Sequence, residues 1–151
     1  MTFLIAADPA FVFDLDVGAP IDTGRAPGAT RRFVPILGGT VSGPHPGVVL
    51  PGGGDWQTVL ADGSIEIDAH YVLDLDGALI EVRSTGVRTA SPDVLSRLAA
   101  GEAVPADRTY FRTAIRLAIA HRPFTHRNRA LFVGSGERCA APVHLPIYPV
   151  P

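Results

Sequence analysis

The stretch from Ser64 to Gly86, SIEIDAHYVLDLDGALIEVRSTG, constrains the fold more than any other part of the chain. Two runs of alternating character flank the pair Asp76-Gly77. Asp-Gly in that setting predicts a two-residue hairpin turn with positive φ at both central positions, because the twist of that turn matches the strands it joins. The turn then sets the register: Leu75 faces Ala78, Leu73 faces Ile80 and Tyr71 faces Val82, giving one apolar surface. On the other surface His70 faces Arg83, Val72 faces Glu81 and Asp68 faces Thr85, since side chains alternate with period two.

The patch of Asp68, His70, Glu81 and Arg83 admits two readings. It is the solvated side of a hairpin whose other face is core, or it lines a barrel interior, where a histidine among carboxylates and an arginine is equipped for proton transfer. Likewise Ile65, Ile67, Leu73 and Leu75 could form core, or face an outer helix or a partner subunit.

The rest of the sequence repeats the strand pattern. Gly and Pro, 16 and 14 of the 151 residues, are spread as punctuation between short apolar runs, the signature of many strands joined by turns. In AFVFDLDV, Phe11, Phe13, Leu15 and Val17 share a face. In TYFRTAIRL, Tyr110, Arg112, Ala114 and Arg116 lie opposite Phe111, Thr113, Ile115 and Leu117. One segment differs: in ASPDVLSRLAAGE, Ser91 caps a helix, Pro92 suits its first position, Val94, Leu95 and Leu98 form its buried stripe and Gly101 ends it. About eight or more strands with one short helix predict an all-β chain, either an antiparallel barrel or a strongly curved sandwich.

The sequence PGGGDWQTVL raises a separate question. A phosphate-binding glycine loop opens a helix whose N-terminus faces the anion. Here a short strand and an ADG turn follow, and Asp55 would repel phosphate. The glycines are therefore a bend between strands. Asp55 and Trp56 after it are either a turn residue and a core residue, or an acid and an apolar wall at a pocket.

Composition removes several classes. All 13 basic residues are arginine, so neither a lysine Schiff base nor a P-loop lysine is available. The formal net charge of −2 gives no footprint for nucleic acid, and no apolar stretch is long enough for a membrane span. No histidine pair has metalloprotease or zinc-finger spacing and no Gly-x-Ser-x-Gly elbow occurs, so no metal or cofactor is expected. The start of the chain lacks signal-peptide character. The single Cys139, read as inert core, fits a reducing cytoplasm. One domain over 1–151 is expected, with 1–8 as a short N-terminal extension.

The motifs GAPIDTG, ILGGTVSGPHPGVVLPGGGDWQ, ADGSIEIDAHYVLDLDGALIEVRSTGVR, TYFRTAIR and NRALFVGSGER, in this order and spacing, resemble the bacterial family called domain of unknown function 3237. The resemblance covers nearly the whole chain from about Ala10 onward. It implies a compact antiparallel β-barrel, calycin-like or allene-oxide-cyclase-like, that self-associates; it implies no agreed reaction. Asp55, Trp56, Tyr71, Tyr110, Phe111, Arg112 and Asn128 match the family pattern. His70 stands where that pattern has arginine, and His126-Arg127-Asn128 stands where it has Trp-Leu-Asn.

Two function classes remain. The first is a cofactor-independent isomerase, cyclase or hydratase/dehydratase/lyase working by acid/base chemistry on a small, largely apolar substrate inside the barrel. Its catalytic residues would be His70, Glu81, Arg83 and Asp55. Trp56, Tyr71, Tyr110, Arg112, His126 and Asn128 would bind substrate, with Arg112 either in an ion pair with Glu81 or Asp55 or gripping a ligand anion. The second is a non-catalytic barrel that binds a small apolar or aromatic molecule or serves as an oligomeric scaffold. A homo-oligomer is expected in either case, with the segment HLPIYPVP as one candidate contact.

Overall fold

The computed structural model describes residues 4–138 and 142–151; Cys139 lies outside them. Eleven strands run in the order β1 (Phe11–Val17), β2 (Ile21–Ala26), β3 (Ala29–Ser42), β4 (Gly47–Val49), β5 (Gly53–Leu60), β6 (Ile65–Leu75), β7 (Ala78–Ala90), β8 (Thr109–Ile119), β9 (Phe132–Ser135), β10 (Glu137–Arg138) and β11 (Val143–Pro149). The helix α1 (Pro92–Ala99) sits between β7 and β8, and 3₁₀ turns cover Ala106–Arg108 and Phe124–Arg129.

All ladders are antiparallel, and they close on themselves. Starting at β1, each strand pairs with the next through β11, β9, β8, β7 and β6, then through β4 and β5 to β3, which pairs back with β1. Eight positions around the wall result, because β4 with β5 and β9 with β10 each act as one interrupted strand. Around this circuit closure pairs strand edges that would otherwise recruit other chains, while β2 pairs with β3 alone. HLPIYPVP belongs to this wall: β11 is hydrogen-bonded between β1 and β9, so its ladder bonds are made within its own barrel.

The β6–β7 hairpin has the register expected from its turn, from Leu75↔Ala78 through His70↔Arg83 to Asp68↔Thr85. Asp76 and Gly77 have φ of 55° and 93°, and Asp74 Oδ1 accepts from the Gly77 amide at 2.6 Å. Strand β3 makes the barrel corner. Its first half pairs with β2 and β5, its second with β1 and β4. Gly38 and Gly39 at the changeover have φ of 149° and 144°, and a Cβ on Gly39 would collide with the Asp14 carbonyl. Only glycine permits that bend and that approach.

The lumen is filled unevenly. At one end Phe11, Phe13, Leu73, Ile80, Ile115, Phe132 and Ile147 are fully buried, with Phe13 edge-on to Tyr71 at 6.2 Å. Asn128 fastens the second 3₁₀ turn across this end, its Oδ1 accepting from the Ile119 amide and its Nδ2 donating to the Ile119 carbonyl, both at 2.7 Å. Arg127 lies over the Phe11 ring at 4.8 Å. The other end stays open beneath α1. Ser91 Oγ accepts from the Val94 amide at the helix start, and Val94 is buried, as the capping pattern requires. Leu95 and Leu98 face the opening.

Candidate active site

Beyond Tyr71 the inward-facing residues become smaller or polar, and the lumen widens into a cavity of about 490 Å³. Its walls are largely apolar, with Val34, Ile36, Ile67, Phe111 and Leu145 among them. Into it project Asp55, Gln57, Tyr71, Ser84, Thr113 and three arginines, Arg32, Arg88 and Arg138. That volume suits a small molecule, and apolar walls with a few convergent polar groups are the usual makeup of a ligand site.

Asp55 reaches the cavity because the glycine bend lets β5 lie close to its neighbours. A Cβ on Gly53 would run into Tyr71, and one on Gly54 into the Phe33 ring. The β5–β6 ladder pairs Asp55 with Ala69 and resumes at Thr58↔Glu66; in between, the Asp68 amide donates to Asp55 Oδ1 at 3.0 Å. Gln57 Nε2 donates to Asp55 Oδ2 at 2.6 Å, while Arg32 Nε donates to Gln57 Oε1 at 2.7 Å. Burial pushes the Asp55 carboxyl above its ordinary range, and the Asp68 charge adds to this. The bonds from Gln57 and Asp68 and the Arg32 charge oppose the shift without cancelling it. A carboxyl raised by desolvation inside a cleft is a typical acid/base group.

Three other cavity-lining groups bury polar atoms that have no hydrogen-bond partner among the described residues: Tyr71 Oη, Thr113 Oγ1 and Arg88 Nε. Burial, helped by the Asp55 charge, pushes the Tyr71 phenol up, so Tyr71 keeps its proton and can donate it in a hydrogen bond. Burial lowers Arg88 to about 10, helped by the Arg32 and Arg138 charges and opposed by Asp55. Arg32 is lowered by burial and by Arg138, against Asp55. Unpaired buried polar atoms are costly, and here they converge on one space.

Of the residues expected at the site, Asp55 and Tyr71 are in the cavity. The expectation that the His70 patch lines it is corrected. His70 Nε2 and Glu81 Oε1 are 2.6 Å apart on the outer wall, with side chains 51% and 55% exposed, and Arg83 pairs there with Asp68 at 3.1 Å. The physical reason is the apolar face opposite: Tyr71, Leu73, Ile80 and Val82 take the concave side, and period-two alternation sends the even-numbered residues of β6 outward. Trp56 is also outside, 49% exposed and packed on Phe33 at 4.6 Å. Tyr110 is exposed. Arg112 stacks over it at 5.2 Å and pairs with neither Glu81 nor Asp55; its Nη1 donates to the Phe111 carbonyl at 2.9 Å. His126 is exposed on the second 3₁₀ turn, bonded to the Pro123 carbonyl, and Asn128 is the latch already described. Neither lines the cavity.

Sequence reasoning missed Arg32, Gln57, Ser84, Arg88, Thr113 and Arg138. Parity was the available signal for four of them: Gln57 continues the face of Asp55, Ser84 and Arg88 continue that of Ile80 and Val82, and Thr113 sits between Phe111 and Ile115. Among the described residues no cluster of three or more His, Cys, Asp or Glu could hold a metal ion, and no helix is long and apolar enough to cross a membrane.

Fold and site together define a small closed β-barrel protein whose lumen is packed at one end and open, with polar groups, at the other. The chain belongs to the family described as protein of unknown function DUF3237, which matches residues 5–150. It is similar to a conserved protein of unknown function from Rhodopseudomonas palustris, with TM-score 0.90 and 33% identity over 100% of both chains. A beta-barrel like protein from Acinetobacter baumannii has TM-score 0.83 and 32% identity, covering 99% of this chain and 98% of that one. A structure described as an enzyme from Penicillium herquei has TM-score 0.69 over 97% of each chain. Its 20% identity makes it a likeness of fold.

Proposed function

We propose that the cavity is the active site of a cofactor-independent isomerase, cyclase or hydratase/dehydratase acting on a small, largely apolar substrate. The observation that carries this reading is that the Asp55 carboxyl and the Tyr71 hydroxyl, which has no partner among the described residues, line the same largely apolar cavity; burial there pushes the carboxyl up. Asp55 takes a proton from carbon next to a carbonyl, or gives one to it. The Tyr71 O–H donates to the carbonyl oxygen as charge develops there. A fixed donor at such an oxygen stabilises the transition state more than the ground state, and a carboxyl held above its usual pKa exchanges protons more readily near neutral pH. Of the residues first expected to be catalytic, Asp55 is kept.

Proton–deuterium exchange in D₂O, followed by NMR on a panel of small aromatic and alicyclic ketones, tests this without knowledge of the natural substrate. The wild type should catalyse exchange at the α-carbon. Asp55→Asn should lose about two to four orders of magnitude, and Tyr71→Phe about two to three. Exchange that survives Asp55→Asn overturns the assignment.

The largely apolar lining also supports a second reading, a non-catalytic carrier. A carrier binds the same ketones with no exchange by the wild type. For assembly, we place a homo-oligomer contact on the outer row formed by Ile21, Phe33 and Trp56, which are cross-strand partners; Ile21 and Trp56 are exposed. A cytoplasmic setting rests on the single cysteine.

A further inference from the structure

Arg32, Arg88 and Arg138 reach the α1 end of the cavity from three different strands, β3, β7 and β10. They act on one another: the Arg138 charge bears on both Arg32 and Arg88, and the Arg32 charge on Arg88. Among the described residues none of the three makes an ion pair, whereas Arg83 and Arg97 on the outer surface do. Asp55 is the single acid among the cavity-lining residues, and its charge bears on both Arg32 and Arg88, so three cations face one carboxyl. Arg32 spends its Nε on Gln57, and Arg88 Nε is buried with no partner among the described residues.

Guanidinium groups keep their charge in proteins. Arg32 and Arg88 are part-buried and Arg138 stands at the exposed rim; holding three like charges around one largely apolar space costs stability unless an anion joins them. The excess positive charge therefore points to a ligand. Beyond the arginines the walls are hydrocarbon: Val34, Ile67 and Leu145 on the barrel, with Leu95 and Leu98 of α1 above. An anion of low charge that is attached to an apolar body matches this arrangement. A planar carboxylate also fits the guanidinium fork through two parallel hydrogen bonds.

We propose that Arg32, Arg88 and Arg138 form an anion-binding site for the carboxylate of a small apolar or aromatic acid, whose hydrocarbon part extends toward Tyr71. This rests on the acid/base reading for the location of the chemistry and adds to it the substrate class. Bound in this way, a carboxylate at the mouth would leave the far end of the molecule to Asp55 and Tyr71.

Isothermal titration with 1-naphthoate, 1-naphthamide and 1-naphthyl phosphate tests the site directly. Naphthoate should bind, with the amide weaker by roughly ten- to a hundredfold, the range expected for charge-assisted hydrogen bonds. Arg88→Met should reduce naphthoate affinity to that of the amide and leave the amide unchanged. Arg138→Gln, at the exposed rim, should show the same trend and guards against a folding defect in the first variant. Equal binding of amide and carboxylate, a preference for the phosphate ester, retention of the preference in folded variants, or no binding by any probe overturns the proposal. The two readings fail separately. Asp55→Asn that abolishes exchange while naphthoate still binds supports both. Wild-type exchange on neutral ketones without any preference for carboxylates sinks the anion site alone.

Discussion

Gln57 stands between Arg32 and Asp55, accepting from the guanidinium at 2.7 Å and donating to the carboxylate at 2.6 Å. The two neighbours fix the orientation of the amide, oxygen toward arginine and nitrogen toward aspartate. In consequence Asp55 has an amide, not a cation, as its nearest partner. A direct Arg–Asp pair would pull the carboxyl below its usual range; with the amide interposed, burial prevails and the carboxyl is raised.

The pH dependence of stability follows. The Asp55 pKa in the fold lies above that in the unfolded chain, so the native state holds more protons between the two values. Stability contributed by this group is therefore fully present below the ordinary carboxylate pKa, about 4, and is lost as pH rises through the folded value. Asp55→Asn should melt higher than wild type at pH 8, with the gap closing toward pH 4. Thermal melts across that range check it, and a wild type that gains on the variant as pH rises contradicts the assignment.

His70→Gln and Glu81→Gln should matter little. Both side chains are half exposed on the outer wall, where ion pairs contribute about 0–1 kcal/mol. Urea unfolding should shift by no more than that, and α-proton exchange should remain at the wild-type rate. A hundredfold loss of exchange would return the chemistry to this patch.

Asn128→Ala should weaken the packed end of the barrel and spare the cavity. The substitution leaves the Ile119 amide and carbonyl without their present partners, at a cost of about 1–3 kcal/mol each if both become buried and unsatisfied. Urea unfolding should show the loss, with naphthoate affinity unchanged.

Ser91→Ala removes the side-chain cap of α1, worth about 1 kcal/mol. Because Leu95 and Leu98 of that helix stand over the cavity, fraying should appear as faster ligand release more than as a lower melting temperature. Stopped-flow displacement of a bound fluorescent acid would measure it.

Much of the wall was legible in the sequence because its signals are local. Asp76-Gly77 determined the whole β6–β7 register, Ser91 and Pro92 placed α1, and the glycines before Asp55 marked a bend without a helix behind it. The polar site was not legible. Its groups come from β3, β5, β6, β7, β8 and β10, and only closure brings them together. Alternation separates two faces of a strand but does not say which is concave. The His70 patch attracted attention because its members are cross-strand neighbours, whereas nothing local marks Arg32 or Arg88, whose inward aim follows only from the concave placement of the face opposite His70.

The β1–β11 seam has a consequence for how the cavity comes into existence. Phe11 pairs with Ile147 and Leu15 with Val143, so the wall is completed by segments from opposite ends of the sequence. Such distant pairings form slowly, because the entropy of loop closure must be met before the contacts repay it. An early hairpin from β6 and β7 can zip from its turn, yet it can hold no ligand by itself. Until β11 arrives, Phe11 and Phe13 lack their cover and the cavity lacks the wall that carries Leu145. A ligand that needs the finished lumen can bind only after the last strand is in place, so its binding would report closure of the barrel, and in a refolding experiment should lag behind the appearance of β structure.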